Sequence, residues 1–142
     1  MRSVKRSALV RHSAATLYHL VNDVASYPEF LPWCSDAGVI RADENEMVAW
    51  LELSTMGLVH RFTTRNILTP CTRIDLNLEQ GPFSRFGGAW SFEQLGTDGS
   101  KVSLNLQFDF KSRTLGMGFG KVFGDAADRM VDAFCQRADE IA

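Results

Sequence analysis

No stretch of this sequence is apolar for long enough to cross a bilayer as a helix. Its longest wholly apolar run is Met47–Leu51, against the roughly 20 residues that a span requires. Cysteine is scarce. Cys34, Cys71 and Cys135 are odd in number and far apart, with no CxxC and no Cys/His cluster, so neither a disulfide framework nor a zinc site can be read from them. His12, His19 and His60 are dispersed, and none has a carboxylate or cysteine at a catalytic or metal-ligand spacing. An excess of one charge is missing too. Fifteen Lys and Arg stand against 17 Asp and Glu, a net charge of -2. A dedicated nucleic-acid binder would be basic, so DNA is not expected as a partner, although a local patch could still touch RNA. The first eleven residues hold four basic side chains and no apolar core segment, so no signal peptide is expected. The expected location is the cytoplasm, with peripheral contact at the inner membrane left open.

What is present is enough for one core. The 142 residues, 45% of them apolar, suit a single domain spanning 1–142. Ser3–Arg11 reads as a strand. Ser13 is a helix N-cap, followed by Leu17, Leu20, Val21 and Val24 at helical spacing. Ser26 can cap a second, short helix that tolerates Pro28 in its first turn and stops at Pro32. From Asp36 to Lys111 the period is two, in about six strands such as Val102, Leu104, Leu106, Phe108 and Phe110 alternating with polar residues. Such alternation gives each strand one wet and one buried face. One long helix closes the chain, with Phe119, Phe123, Ala126, Met130, Phe134, Ala138 and Ile141 as its stripe. A sheet with one apolar face and one amphipathic helix to cover it makes an α+β sandwich. A curved sheet gripping a helix leaves a gap, which is expected to form a cavity.

Few constellations carry chemistry. Gly116-Met117-Gly118-Phe119-Gly120-Lys121 lacks the third glycine of a dinucleotide loop, where Lys121 sits. It also lacks the Ser or Thr of a P-loop, where Val122 sits. Its glycines instead read as a soft helix entry that, with the Gly81–Gly88 loop, could open a cavity mouth. Arg2, Lys5, Arg6 and Arg11 form either a basic stripe for RNA or anionic lipid, or a charged guard on an edge strand. Arg61 and Arg65 share a strand face that either reaches a polar head group inside or faces water. No catalytic pair and no metal site emerge.

The run Val21-Asn22-Asp23-Val24 to Tyr27-Pro28-Glu29-Phe30-Leu31-Pro32-Trp33-Cys34 resembles the opening motif of the coenzyme Q-binding START-domain family, within the polyketide cyclase-like (SRPBCC) group. Phe62-Thr63-Thr64-Arg65-Asn66, Gly81-Pro82-Phe83, Gly88-Ala89-Trp90-Ser91-Phe92, then Ala133-Phe134 and Arg137-Ala138 follow in the family's order. The resemblance covers essentially the whole chain and implies a helix-grip fold: a curved antiparallel sheet around a long C-terminal helix. It also implies a long hydrophobic cavity for ubiquinone or a related polyisoprenoid lipid. The cavity set is then Phe30, Trp33, Phe62, Arg65, Phe83, Trp90, Phe92, Phe108, Phe110, Phe119, Phe123, Met130 and Phe134, with Arg65 a candidate donor to a quinone carbonyl. The expected function is non-enzymatic quinone binding in support of respiratory electron transport, with no cofactor required. The bacterial branch includes ribosome-association toxins, so the alternative is a factor that binds a ribosomal subunit, such as the large one, and blocks subunit association. Arg2, Lys5, Arg6 and Arg11 are its candidate surface.

Overall fold

The computed structural model describes residues 2–55 and 58–141. The side chains at 55, 58, 115 and 117–119 fall outside the description, and Phe119 with them. Strand β1 (Arg2–Val10) leads into helix α1 (Ala14–Asn22), whose N-cap is Ser13: its Oγ accepts the Thr16 amide at 3.1 Å. A short 3-10 helix, Val24–Glu29, contains Pro28. Its N-cap is Asp23 rather than Ser26, whose hydroxyl instead donates to the Asp23 carboxylate at 2.6 Å. Six strands follow: β2 (Cys34–Ala42), β3 (Glu46–Thr55), β4 (Leu58–Thr69), β5 (Arg73–Gln80), β6 (Phe83–Leu95) and β7 (Gly99–Phe110). They form one antiparallel sheet in the order β1-β7-β6-β5-β4-β3-β2. Each strand after β2 pairs with its predecessor, and β1 returns to close the far edge beside β7. The antiparallel sheet and C-terminal helices make this the α+β helix-grip architecture.

The chain ends in two helices rather than one long one: α2 (Arg113–Asp128) and α3 (Met130–Ile141). The Arg129 amide is shared between the carbonyls of Asp125 (3.1 Å) and Ala126 (3.2 Å), a three-centre arrangement common at helix ends. The buried stripe accordingly runs Phe123, Ala127, Val131, Phe134, Ala138. Ala126 and Met130 flank it, and Ile141 is exposed beyond the sheet.

The inward residues of the sheet meet this stripe in two aromatic clusters. In one, Phe83 packs against Phe62, Phe86, Phe108, Phe110 and Phe123. In the other, Phe134 lies 5.2–5.3 Å, centroid to centroid, from Tyr27, Phe30 and Trp90. Nearly all these contacts are tilted or edge-to-face, the arrangement favoured by ring quadrupoles.

Candidate functional site

Between the two clusters lies the interior pocket. Phe62, Phe86 and Phe123 come to it from one cluster, Tyr27 and Trp90 from the other, with Trp33 and Met130 also on its wall. Its volume is about 60 Å³, roughly the space two water molecules occupy in the liquid. The long cavity expected from the resemblance is therefore nearly closed. Of the residues expected to line it, Phe30, Phe83, Phe92, Phe108, Phe110 and Phe134 do not reach the pocket wall. Phe83, Phe108 and Phe134 are fully buried core, because a sheet that curves this tightly brings its rings together. Phe30 is half-buried, under the guanidinium of Arg137.

Arg65 faces away from the pocket. It sits on the outer side of β4 and pairs with Glu46 at 3.2 Å, while Arg61 pairs with Glu52 at 3.1 Å and lies 4.0 Å over the Trp50 ring. A period of two with Phe62 inside sends Thr64, Asn66 and Leu68 inward and Arg61, Thr63 and Arg65 outward. Asn66 is thus, beside Thr64, a polar group of the wall that the sequence pattern does not single out. It is 6% exposed, and its Oδ1 has no hydrogen-bond partner. Such an orphan costs on the order of 1–3 kcal/mol. The signal for it was the spacing of four from Phe62.

No acid or base is poised in the pocket. Among the described residues the wall holds no Asp, Glu, His or Lys. The Tyr27 hydroxyl donates to the Val21 carbonyl, and burial pushes its pKa far above the ordinary phenol range. Nearby, burial pushes the Cys34 thiol up to about 11, so it stays protonated at neutral pH. His12 pairs with Asp139 at 2.7 Å at the surface, apart from the pocket. Among the described residues no group of His, Cys, Asp and Glu gathers to hold a metal, and no helix is long and apolar enough to cross a membrane.

The basic side chains of β1 do not form one stripe. Arg2, Val4 and Arg6 pair in register with Phe108, Leu106 and Leu104, on the helix side of the sheet; Ser3, Lys5 and Ser7 pair with Gln107, Asn105 and Ser103, on the outer side. Arg6 makes a two-point contact with Asp128 of α2 at 2.6–2.7 Å, which holds that carboxyl below its usual range. Arg2 donates to the Gly116 carbonyl at 3.1 Å and lies 5.7 Å over the Phe110 ring. A Cβ on Gly120 would fall 1.5 Å from its guanidinium. Gly116 and Gly120 thus form the berth of Arg2. Gly87 and Gly88 lie within β6, paired with Gln107 and Leu106, and a Cβ on Gly88 would fall 2.0 Å from the Asn105 carbonyl oxygen. Arg11 is exposed beyond the end of β1.

Fold and pocket define a helix-grip protein with a hydrophobic interior. Residues 10–135 match the family described as polyketide cyclase / dehydrase and lipid transport, and the chain belongs to that family. It is 46% identical over 138 residues to a Pseudomonas aeruginosa protein named ribosome association toxin RatA, covering 97% of this chain and 96% of that one. It is 24% identical over 136 residues to a Dictyostelium discoideum protein named as a mitochondrial coenzyme Q-binding protein, covering 93% and 66%. A solved aromatase/cyclase, Zhui of a Streptomyces species, superposes with a TM-score of 0.83 at 18% identity, over 97% of this chain and 93% of that one. That last likeness is one of fold.

Proposed function

We propose that the chain is a non-enzymatic factor that binds a ribosomal subunit and blocks its association with the other. The observation that carries this is the near-full-length likeness to a protein named for ribosome association. The interior supports it in two ways. A pocket of about 60 Å³ holds no small-molecule substrate as it stands, since ligand pockets run to roughly 300–1,000 Å³. Its wall also lacks the acid and base that a cyclase or hydrolase would need. The test is gradient sedimentation of purified subunits with and without the chain. The expected result is fewer joined ribosomes and co-migration of the chain with one subunit. Normal subunit joining at saturating chain would sink the proposal.

A second reading, storage or transfer of ubiquinone or a related polyisoprenoid lipid, rests on Asn66. The Asn66 Oδ1, without a partner in a mostly apolar wall, is a ready acceptor for a polar head group, and the amide nitrogen can donate to a quinone carbonyl. Each buried methylene of the tail would contribute about 0.8 kcal/mol, provided that α2 and α3 move to enlarge the pocket. Mass spectrometry of lipids extracted from the purified chain tests it. A stoichiometric isoprenoid quinone supports this reading, and none at all removes it.

A further inference from the structure

The outer face of the sheet is divided into two unlike halves. Over β2, β3 and β4 arginines are held in ion pairs: Arg41 and Arg65 both reach Glu46, and Arg61 reaches Glu52. Trp50, the one ring that the described strands present outward, lies flat between Gly38 and Arg61 and is covered by both. Over β5, β6, β7 and β1 the surface is different. There the sheet forms an open hollow of about 560 Å³. Its rim carries Lys5, Arg73 and Lys101. Ser91, Ser103 and Asn105 supply hydrogen-bonding groups on its floor, and at Gly87 and Ala89 no side chain exceeds a methyl. Among the described residues no carboxylate lines it. Asp75 tempers Arg73 at 2.9 Å and Glu93 stands opposite Lys101 in register, while among the described residues neither Lys5 nor Lys101 makes an ion pair within 4 Å.

We infer that this hollow is the docking surface for the sugar-phosphate backbone of double-helical RNA. The inference rests on the ribosomal reading and names the part of the chain that would serve it. Charge fits: cations on the rim and no carboxylate within favour phosphate, and each Lys contact releases counterions. Shape fits as well. A floor of small residues lets a rigid convex backbone approach closely, while Ser and Asn hydroxyl and amide groups suit phosphate oxygens and 2′-hydroxyls. The absence of an available ring argues for duplex over single strand, because single-stranded recognition relies on bases stacking on aromatic platforms.

The test uses the full chain and a labelled RNA duplex of about 16 base pairs, followed by fluorescence anisotropy across a salt series. The variant is Lys5→Glu with Lys101→Gln; glutamine is chosen at 101 because Glu93 faces that position in register and a like charge there would strain the pair. The control is Lys121→Glu with Lys111→Gln, the same change in net charge at exposed positions outside the hollow. Melting curves show that both variants are folded. The expected result is a loss of duplex affinity of about tenfold or more in the hollow variant, with the salt slope reduced by about two, against a change within about twofold in the control. Equal loss in both variants, no loss in the hollow variant, or stronger binding of the separated single strands would overturn the inference. Sedimentation with subunits separates it from the reading beneath it. If the hollow variant still rides on a subunit as the unaltered chain does, the surface is wrong and the ribosomal reading stands. If the unaltered chain binds duplex through the hollow but no subunit, the surface stands and the ribosomal reading falls.

Discussion

Cys71 holds a backbone conformation that suits it poorly. Its φ of 63° is in the left-handed region, at the turn between β4 and β5 where the Thr72 amide donates to the Thr69 carbonyl at 3.0 Å. With Pro70 before it, Cys71 occupies the third position of a type II turn, which prefers glycine. A non-glycine residue there costs roughly 1–2 kcal/mol. Part of that cost is recovered through contact of the half-buried thiol with the core, and glycine would add unfolded-state entropy. Cys71→Gly is therefore expected to stabilise the chain by about 0.5–1 kcal/mol, read as a higher urea midpoint with an unchanged slope. A lower midpoint would mean that the thiol's packing outweighs the strain. The same scale explains why Lys5 and Arg6, neighbours in sequence, do unrelated work. One side chain points out from the sheet and the other clasps α2, so a charge reversal at both would test two things at once.

Two of the four glycines of helix α2 have opposite surroundings. Nothing lies within 4 Å of where a Cβ would stand on Gly124, whereas a Cβ on Gly120 would collide with Arg2. Glycine costs a helix interior about 1 kcal/mol relative to alanine. Gly124→Ala should recover about 0.5–1 kcal/mol of that. Gly120→Ala should gain nothing net, because Arg2 must abandon the Gly116 carbonyl and the Phe110 ring. Paired denaturation curves check this, and an equal gain in both would show that the Arg2 clasp contributes nothing. In α3 the contrast is between core and pocket. Phe134 is fully buried against three rings, so Phe134→Ala should cost about 3–5 kcal/mol. Met130 is half-buried on the pocket wall beside space that already exists, and Met130→Ala should cost less than the roughly 2–5 kcal/mol of a packed methionine. Comparable losses in urea unfolding would mean that the pocket wall is packed as tightly as the core.

For the molecule as a whole, the sheet has two faces and two candidate jobs, and a variant can address one without the other. Ala49 lines the pocket and is buried. Ala49→Leu would fill a space of only about 60 Å³ at an overpacking cost of roughly 1–3 kcal/mol. Ala126, although a member of the helical stripe expected from the sequence, does not line the pocket. The expected outcome for Ala49→Leu is unchanged inhibition of subunit joining together with loss of any co-purifying apolar ligand. Loss of subunit inhibition in a variant that melts normally would tie the ribosomal activity to an occupied interior, and the two readings would become one mechanism.

How much of this was legible beforehand follows from what a periodic pattern encodes. Alternation at Val102–Phe110 specifies a strand with two faces, and Ser13 before an apolar period specifies a helix start; both depend only on neighbours along the chain, and both stand in the fold. The order of elements likewise predicted the α+β layers. A period, however, does not say which face is the inner one. Arg65 and Asn66 are adjacent, and only the pairing of β4 with β3 and β5 sends the arginine to solvent and the amide to the interior. Nor does 3.6-residue spacing choose between Ala126 and Ala127, or between Met130 and Val131. The break at Arg129 and the curvature of the sheet made that choice. The size of the pocket was least legible of all, because the same rings can line a tunnel or pack it shut. That outcome depends on how closely seven strands and two helices approach one another, a property of the assembled layers and of no single segment.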